Sequence, residues 1–296
     1  MTASITPLHR LPDTQWHDEG PTRAVEPLVE DGGVLVFEQL NFAMSDAERR
    51  FLDARWTDGK AKNISLRWPT KSSRELRGAL GDAADLSALE TLIARYAENA
   101  ERLMLRLFPH YRPHLVRGNT SLRPVAIEGR ASSWRKDDSR LHIDAFPSNP
   151  TRGARLLRVF TNVNPEGQPR RWRVGETFEA HARRFLPRIS RPLPGSAWAL
   201  QTLHITKRRR TEYDHLMLHL HDLAKSDAEF QRASPQLAVE FAPGTTWVTY
   251  SDQVPHAVMA GQHMFEQTFM LEAEHQQRPG ASPLCTLERL TGRALR

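Results

Sequence analysis

The sequence predicts an α+β protein: a jelly roll or related β-barrel core, buttressed by helices from its N-terminal part and interrupted by a helical insertion. Three observations predict it. A long three-four apolar repeat marks one helix in the first part of the chain, and from Thr120 onward the pattern changes to short strand-like runs broken by Pro and Gly. A helical stretch at about 206–232 then interrupts the strands. With 296 residues, 39% hydrophobic and 8% aromatic, the chain can bury a substantial core. It shows no internal repeat and no convincing boundary, so 1–296 reads as a single domain. Within it, 1–31 reads as an irregular leader, 32–119 as an N-terminal strand and helical layer, and 120–275 as the core.

The elements follow from local chemistry. Gly32-Gly33-Val34-Leu35-Val36-Phe37 is a Gly-bounded β-branched run that suits a first strand. Ser45-Asp46-Ala47-Glu48 is a capping box opening a short helix. Leu86, Leu89, Ile93, Tyr96, Ala100, Leu103 and Leu107 line one face of a helix that Pro109 stops. Strands are expected at 121–127, 141–146, 156–162, 198–205, 237–241, 246–250, 257–259 and 265–271. In the insertion His215, Leu216, Leu218, Leu220 and Leu223 interleave with polar residues, which suits a helix packed on the barrel more than one lying on an anionic membrane. His215 and His219 have zinc-helix spacing without the Glu of H-E-x-x-H, so that site is rejected.

Charge and cysteine content narrow the function classes. The single cysteine, Cys285, permits no internal disulfide and has no nucleophile motif around it. The N-terminus lacks the apolar stretch of a secretory signal, and no apolar run approaches the roughly 20 residues of a membrane span. A cytoplasmic protein is expected, soluble or peripheral on the inner face of a membrane. A net charge of +6, with basic clusters at Arg170-Arg171-Trp172-Arg173 and Lys207-Arg208-Arg209-Arg210, favours an anionic partner. No nucleic-acid recognition motif accompanies it, so nucleic acid ranks last.

The chemistry centres on Arg140-Leu-His-Ile-Asp-Ala-Phe-Pro147. In an extended strand His142 and Asp144 project from one face while Leu141, Ile143 and Ala145 project from the other. A similar His17-Asp18-Glu19 lies in the leader without a strand pattern and reads as chance. Far downstream, a β-branched run and a polar loop end at His256. Two histidines and one carboxylate form the set that binds non-haem Fe(II) on one face. Zinc hydrolysis would need a further general base or oxyanion donor, and none is evident. In Leu156-Leu-Arg-Val-Phe-Thr-Asn162, alternation puts Arg158 with Phe160 and Asn162, where a buried guanidinium needs an anion such as a dicarboxylate.

HIDAF with the later GTTWVTYSDQVPHAV resembles the iron(II)/2-oxoglutarate-dependent oxygenases, built on a double-stranded β-helix. More narrowly, SSWRKDDSRLHIDAFPSNPTRGARLLRVFTNVNP is similar to the Kdo hydroxylases, which act on 3-deoxy-D-manno-oct-2-ulosonic acid in lipopolysaccharide. The resemblance covers most of the chain beyond the leader. It implies a 2-oxoglutarate oxygenase domain with His142, Asp144 and His256 as iron ligands. Many such oxygenases place the 2-oxoglutarate arginine soon after the distal His, but here no Arg or Lys lies between His256 and Arg278. Arg158 matches the arrangement of other branches, with Arg123 and Ser139 as further candidates.

The resemblance also implies the reaction. Fe(II), 2-oxoglutarate and O2 would hydroxylate C3 of Kdo on a lipid A precursor, giving the 3-hydroxylated sugar (Ko), succinate and CO2. Arg135, Lys136, Arg171, Trp172 and Arg173 are the expected rim for the anionic substrate. Two rivals stay open: an oxygenase acting on another anionic substrate, and a non-catalytic, cupin-like sugar or lipopolysaccharide binder.

Overall fold

The computed structural model describes residues 5–17, 24–59, 63–70, 73–126 and 133–296. Its strands are β1 (Leu8–Leu11), β2 (Val34–Phe37), β3 (Ile64–Thr70), β4 (Ser73–Arg77), β5 (Val116–Arg123), β6 (Ala154–Asn162), β7 (Arg170–Val174), β8 (Leu237–Phe241), β9 (Thr246–Tyr250), β10 (His256–Ala260) and β11 (Met264–Glu272). A large sheet runs β1-β2-β9-β6-β11-β5-β3-β4 and a small one β10-β7-β8. Every pairing is antiparallel except β1 with β2. The helices are α1 (Glu26–Glu30), α2 (Asp46–Arg49), α3 (Ala83–Leu107), α4 (Phe178–Phe185), α5 (Ser196–Thr202), α6 (Glu212–Ser226), α7 (Ala228–Ala233) and α8 (Pro283–Thr291). This is the α+β jelly-roll arrangement that the sequence predicts. None of these helices is long and apolar enough to cross a membrane.

Side-chain alternation sorts the strands into three cores. Leu157 and Val159 of β6 and Phe265 and Phe269 of β11 meet Leu89, Ile93, Tyr96 and Leu103 of α3 behind the large sheet. The opposite parity, Phe160 and Met264, faces Trp172, Val174 and Val258 of the small sheet. A third core joins α4, α6, α7 and α8 to Leu141 and Ile143. The helix α3 is capped by Asp82, which accepts the Asp85 amide, and α2 by the reciprocal Ser45–Glu48 box.

Several expectations are corrected. The leader carries β1 and puts Trp16 into the core, because Leu8–Leu11 finds a parallel partner in β2. Of the run 198–205, residues 198–202 lie in α5 and the rest in a turn and bend, so no strand forms there. No strand among the described residues pairs with it, and Ser-Ala-Trp-Ala-Leu-Gln-Thr contains several good helix formers. Residues 141–146 make one β-bridge, not a strand. The expected strand 121–127 starts earlier, as β5, and Ile127 lies outside the described residues, as do Asp18 and Glu19. The insertion is two helices, split where Asp227 caps α7. As expected of a buttress, α6 buries Tyr213, Leu216, Met217 and Leu220.

The helical core holds a buried histidine whose ionisation opposes folding. Burial beside Phe185 and Phe230 pushes His181 down to about 3. An unfolded histidine titrates near pH 6.5. Between those values the unfolded chain takes up a proton that the native ring refuses, so stability falls as pH drops below about 6.5. The contribution lost between neutral pH and pH 5 is about 2 kcal/mol. His181→Phe should remove it, seen as a smaller shift in urea midpoint between pH 7 and pH 5 than the parent shows.

Candidate metal centre

Two backbone segments are locked together at the site. The His142 amide donates to the His256 carbonyl at 3.0 Å and the His256 amide returns the bond at 2.9 Å. Two residues on, the Asp144 amide donates to Ser251 O at 2.8 Å. Leu141 and Ile143 are fully buried in the helical core, so the alternate residues His142 and Asp144 turn to the other side, toward the space between the sheets. Ligand atoms of His142, Asp144 and His256 then lie within 4.8 Å of one another.

The imidazoles are oriented for coordination. Nδ1 of His142 lies 2.7 Å from Arg140 O, and Nδ1 of His256 lies 2.8 Å from Val254 O. A carbonyl only accepts, so each Nδ1 carries the proton and each neutral ring leaves a bare Nε2 lone pair. Burial pushes both histidines below the usual range, which keeps those lone pairs available at neutral pH. Burial opposes ionisation of Asp144, but Arg158 above all overrides it and holds the carboxyl well below its ordinary value. Two neutral nitrogens and one carboxylate suit a first-row divalent ion, and three donors leave open positions on it.

Buried charge surrounds this cluster. Arg158 Nη1 lies 3.3 Å from Asp144 Oδ2 and 3.0 Å from Glu266 Oε1. Arg123 pairs with the other oxygen of Glu266. Burial pushes Glu266 up, yet Arg123 and Arg158 outweigh it and keep the carboxyl ionised. A cavity of about 120 Å³ opens here, lined among others by Arg123, Asp144, Arg158, Arg170, Trp172 and His256. Its wall is aromatic: Trp172 stacks on His256 at 5.1 Å and meets Phe160 edge-on at 5.1 Å. The buried Nε1 of Trp172 and the Nε atoms of Arg123 and Arg158 have no hydrogen-bond partner among the described residues. Donor side chains in excess of the carboxylates that line a cavity fit an added anion.

The structure separates the expected site residues. Arg158 and Arg123 line the cavity with the triad. Ser139 does not: its hydroxyl donates to Asp137 at 2.6 Å. On β7 the burial alternates, so Arg170, Trp172 and Val174 face inward while Arg171 faces out to Glu240 at 2.8 Å. Arg173 braces Ser139 O at 2.7 Å and Gln236 at 2.9 Å. Arg135 pairs with Asp222, and Lys136 is exposed. Arg170, buried and donating to Gly261 O at 2.9 Å, lines the cavity, whereas the sequence places it only in a basic cluster. The signal was present, since an inward Trp172 places residues two away on its own face. Also unforeseen are His221, edge-on to His142 at 5.3 Å, and buried Lys225, which donates to Arg135 O at 3.0 Å.

Known proteins share this architecture. A family model for 3-deoxy-D-manno-oct-2-ulosonic acid (Kdo) hydroxylase matches residues 13–294. A solved structure of the Kdo hydroxylase KdoO, a non-heme Fe(II) alphaketoglutarate dependent dioxygenase, in complex with cobalt(II), is 45% identical with a TM-score of 0.94. KdoO structures with alphaketoglutarate and Fe(III), and with succinate and Fe(III), are 43% and 44% identical with TM-scores of 0.93. In each case the match covers 98% of this chain and 97% of the other. A search of curated proteins found no match.

The paired charges make Arg158 a stability determinant as well as a site residue. Arg158→Ala would leave Asp144 and Glu266 short of a buried partner, at a cost of about 3–5 kcal/mol. Arg171→Ala, on an exposed pair, should change stability by less than about 0.5 kcal/mol. Chemical denaturation of the two variants beside the parent checks both values.

Proposed function

This chain belongs to the family of 3-deoxy-D-manno-oct-2-ulosonic acid (Kdo) hydroxylases, and from that premise we propose that it hydroxylates C3 of a Kdo sugar on a lipid A precursor. It uses Fe(II), 2-oxoglutarate and O2, and releases the 3-hydroxylated sugar, succinate and CO2. The observation that carries this reading is the convergence of two bare imidazole nitrogens and one carboxylate beside an arginine-lined cavity. Bound iron and 2-oxoglutarate together supply the oxidising power to break an unactivated C–H bond.

The chain's own residues do the rest. His142, Asp144 and His256 hold the metal. Arg123, Arg158 and Arg170, with the Trp172 indole N–H, receive the far carboxylate of 2-oxoglutarate. Charge balance supports a dianion: three guanidiniums face Asp138, Asp144 and Glu266, so an added divalent cation leaves two positive charges to neutralise. The aromatic wall of Phe160, Trp172 and Trp247 excludes water from the reacting centre. Arg135 and Lys136, just before the metal segment, are the substrate rim. A cavity of about 120 Å³ admits a small acid and a reacting sugar carbon, not acyl chains. The lipid part therefore stays outside, and the protein works peripherally, at the cytoplasmic face of the membrane that holds its substrate.

Anaerobic titration of the apo protein with Fe(II) and 2-oxoglutarate should produce a visible charge-transfer band that His256→Ala abolishes. A folded parent without a band would return the binder reading. Arg170→Ala should weaken 2-oxoglutarate binding about 10- to 100-fold, the value of one charge-assisted hydrogen bond, measured by the same titration. With Kdo-lipid A, oxygen and both co-substrates, succinate and hydroxylated sugar should appear in equal amounts.

A further inference from the structure

The net charge of the chain resides in one segment. Residues 188–210 contain six basic side chains, Arg188, Arg191, Lys207, Arg208, Arg209 and Arg210, and no acidic one. With those six set aside, the 41 basic residues fall to 35 and match the 35 acidic residues. Lys207 and Arg209 are exposed and have no acidic partner among the described residues.

The same segment exposes apolar surface. Four of the nine large hydrophobic side chains exposed among the described residues lie in it: Leu193 (78% exposed), Trp198 (62%), Leu203 (68%) and Ile205 (52%). None of the residues of α5 is buried, and Thr206 is the only buried residue between Ser190 and Arg210. Single exposed hydrophobics are ordinary, but a run of them followed directly by exposed cations without an acidic partner is not.

The segment is nonetheless held in place. His215 Nε2 donates to Ser190 O at 2.8 Å at one end. At the other, the Lys207 amide donates to Ser148 O at 2.9 Å, Arg208 to Pro150 O at 2.9 Å, and Arg210 to Pro147 O. Its anchor is thus the turn that leaves Asp144 and Phe146, and chain reach limits Asp144 to within about 20 Å of Pro150.

We propose that residues 188–210 are a docking surface for an anionic phospholipid bilayer. Trp198, Leu193, Leu203 and Ile205 enter the headgroup–acyl boundary, and Lys207 and Arg209 meet lipid phosphates. Charge complementarity selects this occupant over a second copy of the chain, because a two-fold contact would set the cations against themselves. The function of the surface rests on the lipid-linked substrate proposed above: it holds the protein where the sugar is, with the lipid remaining in the bilayer.

The test measures membrane binding without substrate, so its result is independent of the hydroxylase assignment. Full-length protein is sedimented with vesicles of phosphatidylglycerol and phosphatidylcholine, and with phosphatidylcholine alone, at low and high salt. Binding is expected only with the anionic vesicles and should weaken with salt. The triple variant Trp198→Ser, Leu203→Ser, Ile205→Ser and the double variant Lys207→Gln, Arg209→Gln should each lose tenfold or more in affinity. Retention of the parent's far-ultraviolet circular dichroism and urea midpoint shows that a variant is folded. A parent that stays in the supernatant, or variants that bind like it, would overturn the proposal. So would a concentration-dependent dimer abolished by the triple variant without vesicle binding, which would assign the patch to self-association.

Discussion

The site depends on one reciprocal pair of backbone hydrogen bonds, between His142 and His256. That bridge joins a loop to the first residue of β10 and sets both imidazoles on one side of it. Each ring is then fixed by the carbonyl two residues earlier in its own chain, which decides tautomer and direction together. The bridge is in turn held by Arg155. This fully buried guanidinium donates to Asp252 at 2.8 Å, Gln276 at 2.7 Å and Gln253 at 2.6 Å, and lies over the Tyr250 ring. Asp252 also accepts the Leu156 amide at 3.1 Å. A loop that would otherwise be free to move is tied to β6 just before it delivers His256.

A second constraint is electrostatic. Desolvating several ionised groups is costly unless each finds partners of opposite sign. Here the jelly roll solves the problem by parity: on β5, β6 and β11 the inward positions include Arg123, Arg158 and Glu266, and they pair across adjacent strands. Those pairs leave the Nε–H groups of Arg123 and Arg158 without a hydrogen-bond partner among the described residues, on side chains that line the cavity. The fold therefore tolerates the arginines without a ligand, yet keeps the donors that a dicarboxylate needs.

The small cavity and the charged outer segment belong to one physical picture. A site lined by stacked aromatics can exclude water only if it stays narrow, and a narrow site cannot enclose a lipid. On the reading proposed above, the work of finding a lipid-linked sugar falls to the surface. Residues 188–210 carry the chain's excess positive charge and hang from the same turn that follows Asp144.

Much of this was legible in the residues themselves. The period of α3, the capping box at Ser45, the shared face of His142 and Asp144 and the inward Arg158 all follow from local geometry, which a short window contains. His256 could be named a ligand candidate, although nothing local says that it meets His142. Only the tertiary structure decided matters of pairing: that Leu8–Leu11 finds β2, that 141–146 makes a single bridge, that 198–202 joins a helix and not a sheet. It also decided which arginines of Arg170-Arg171-Trp172-Arg173 face the cavity, because the sense of an alternation is set by what covers each face. Periodicity is a property of the chain, whereas its phase and partners are properties of the packed molecule.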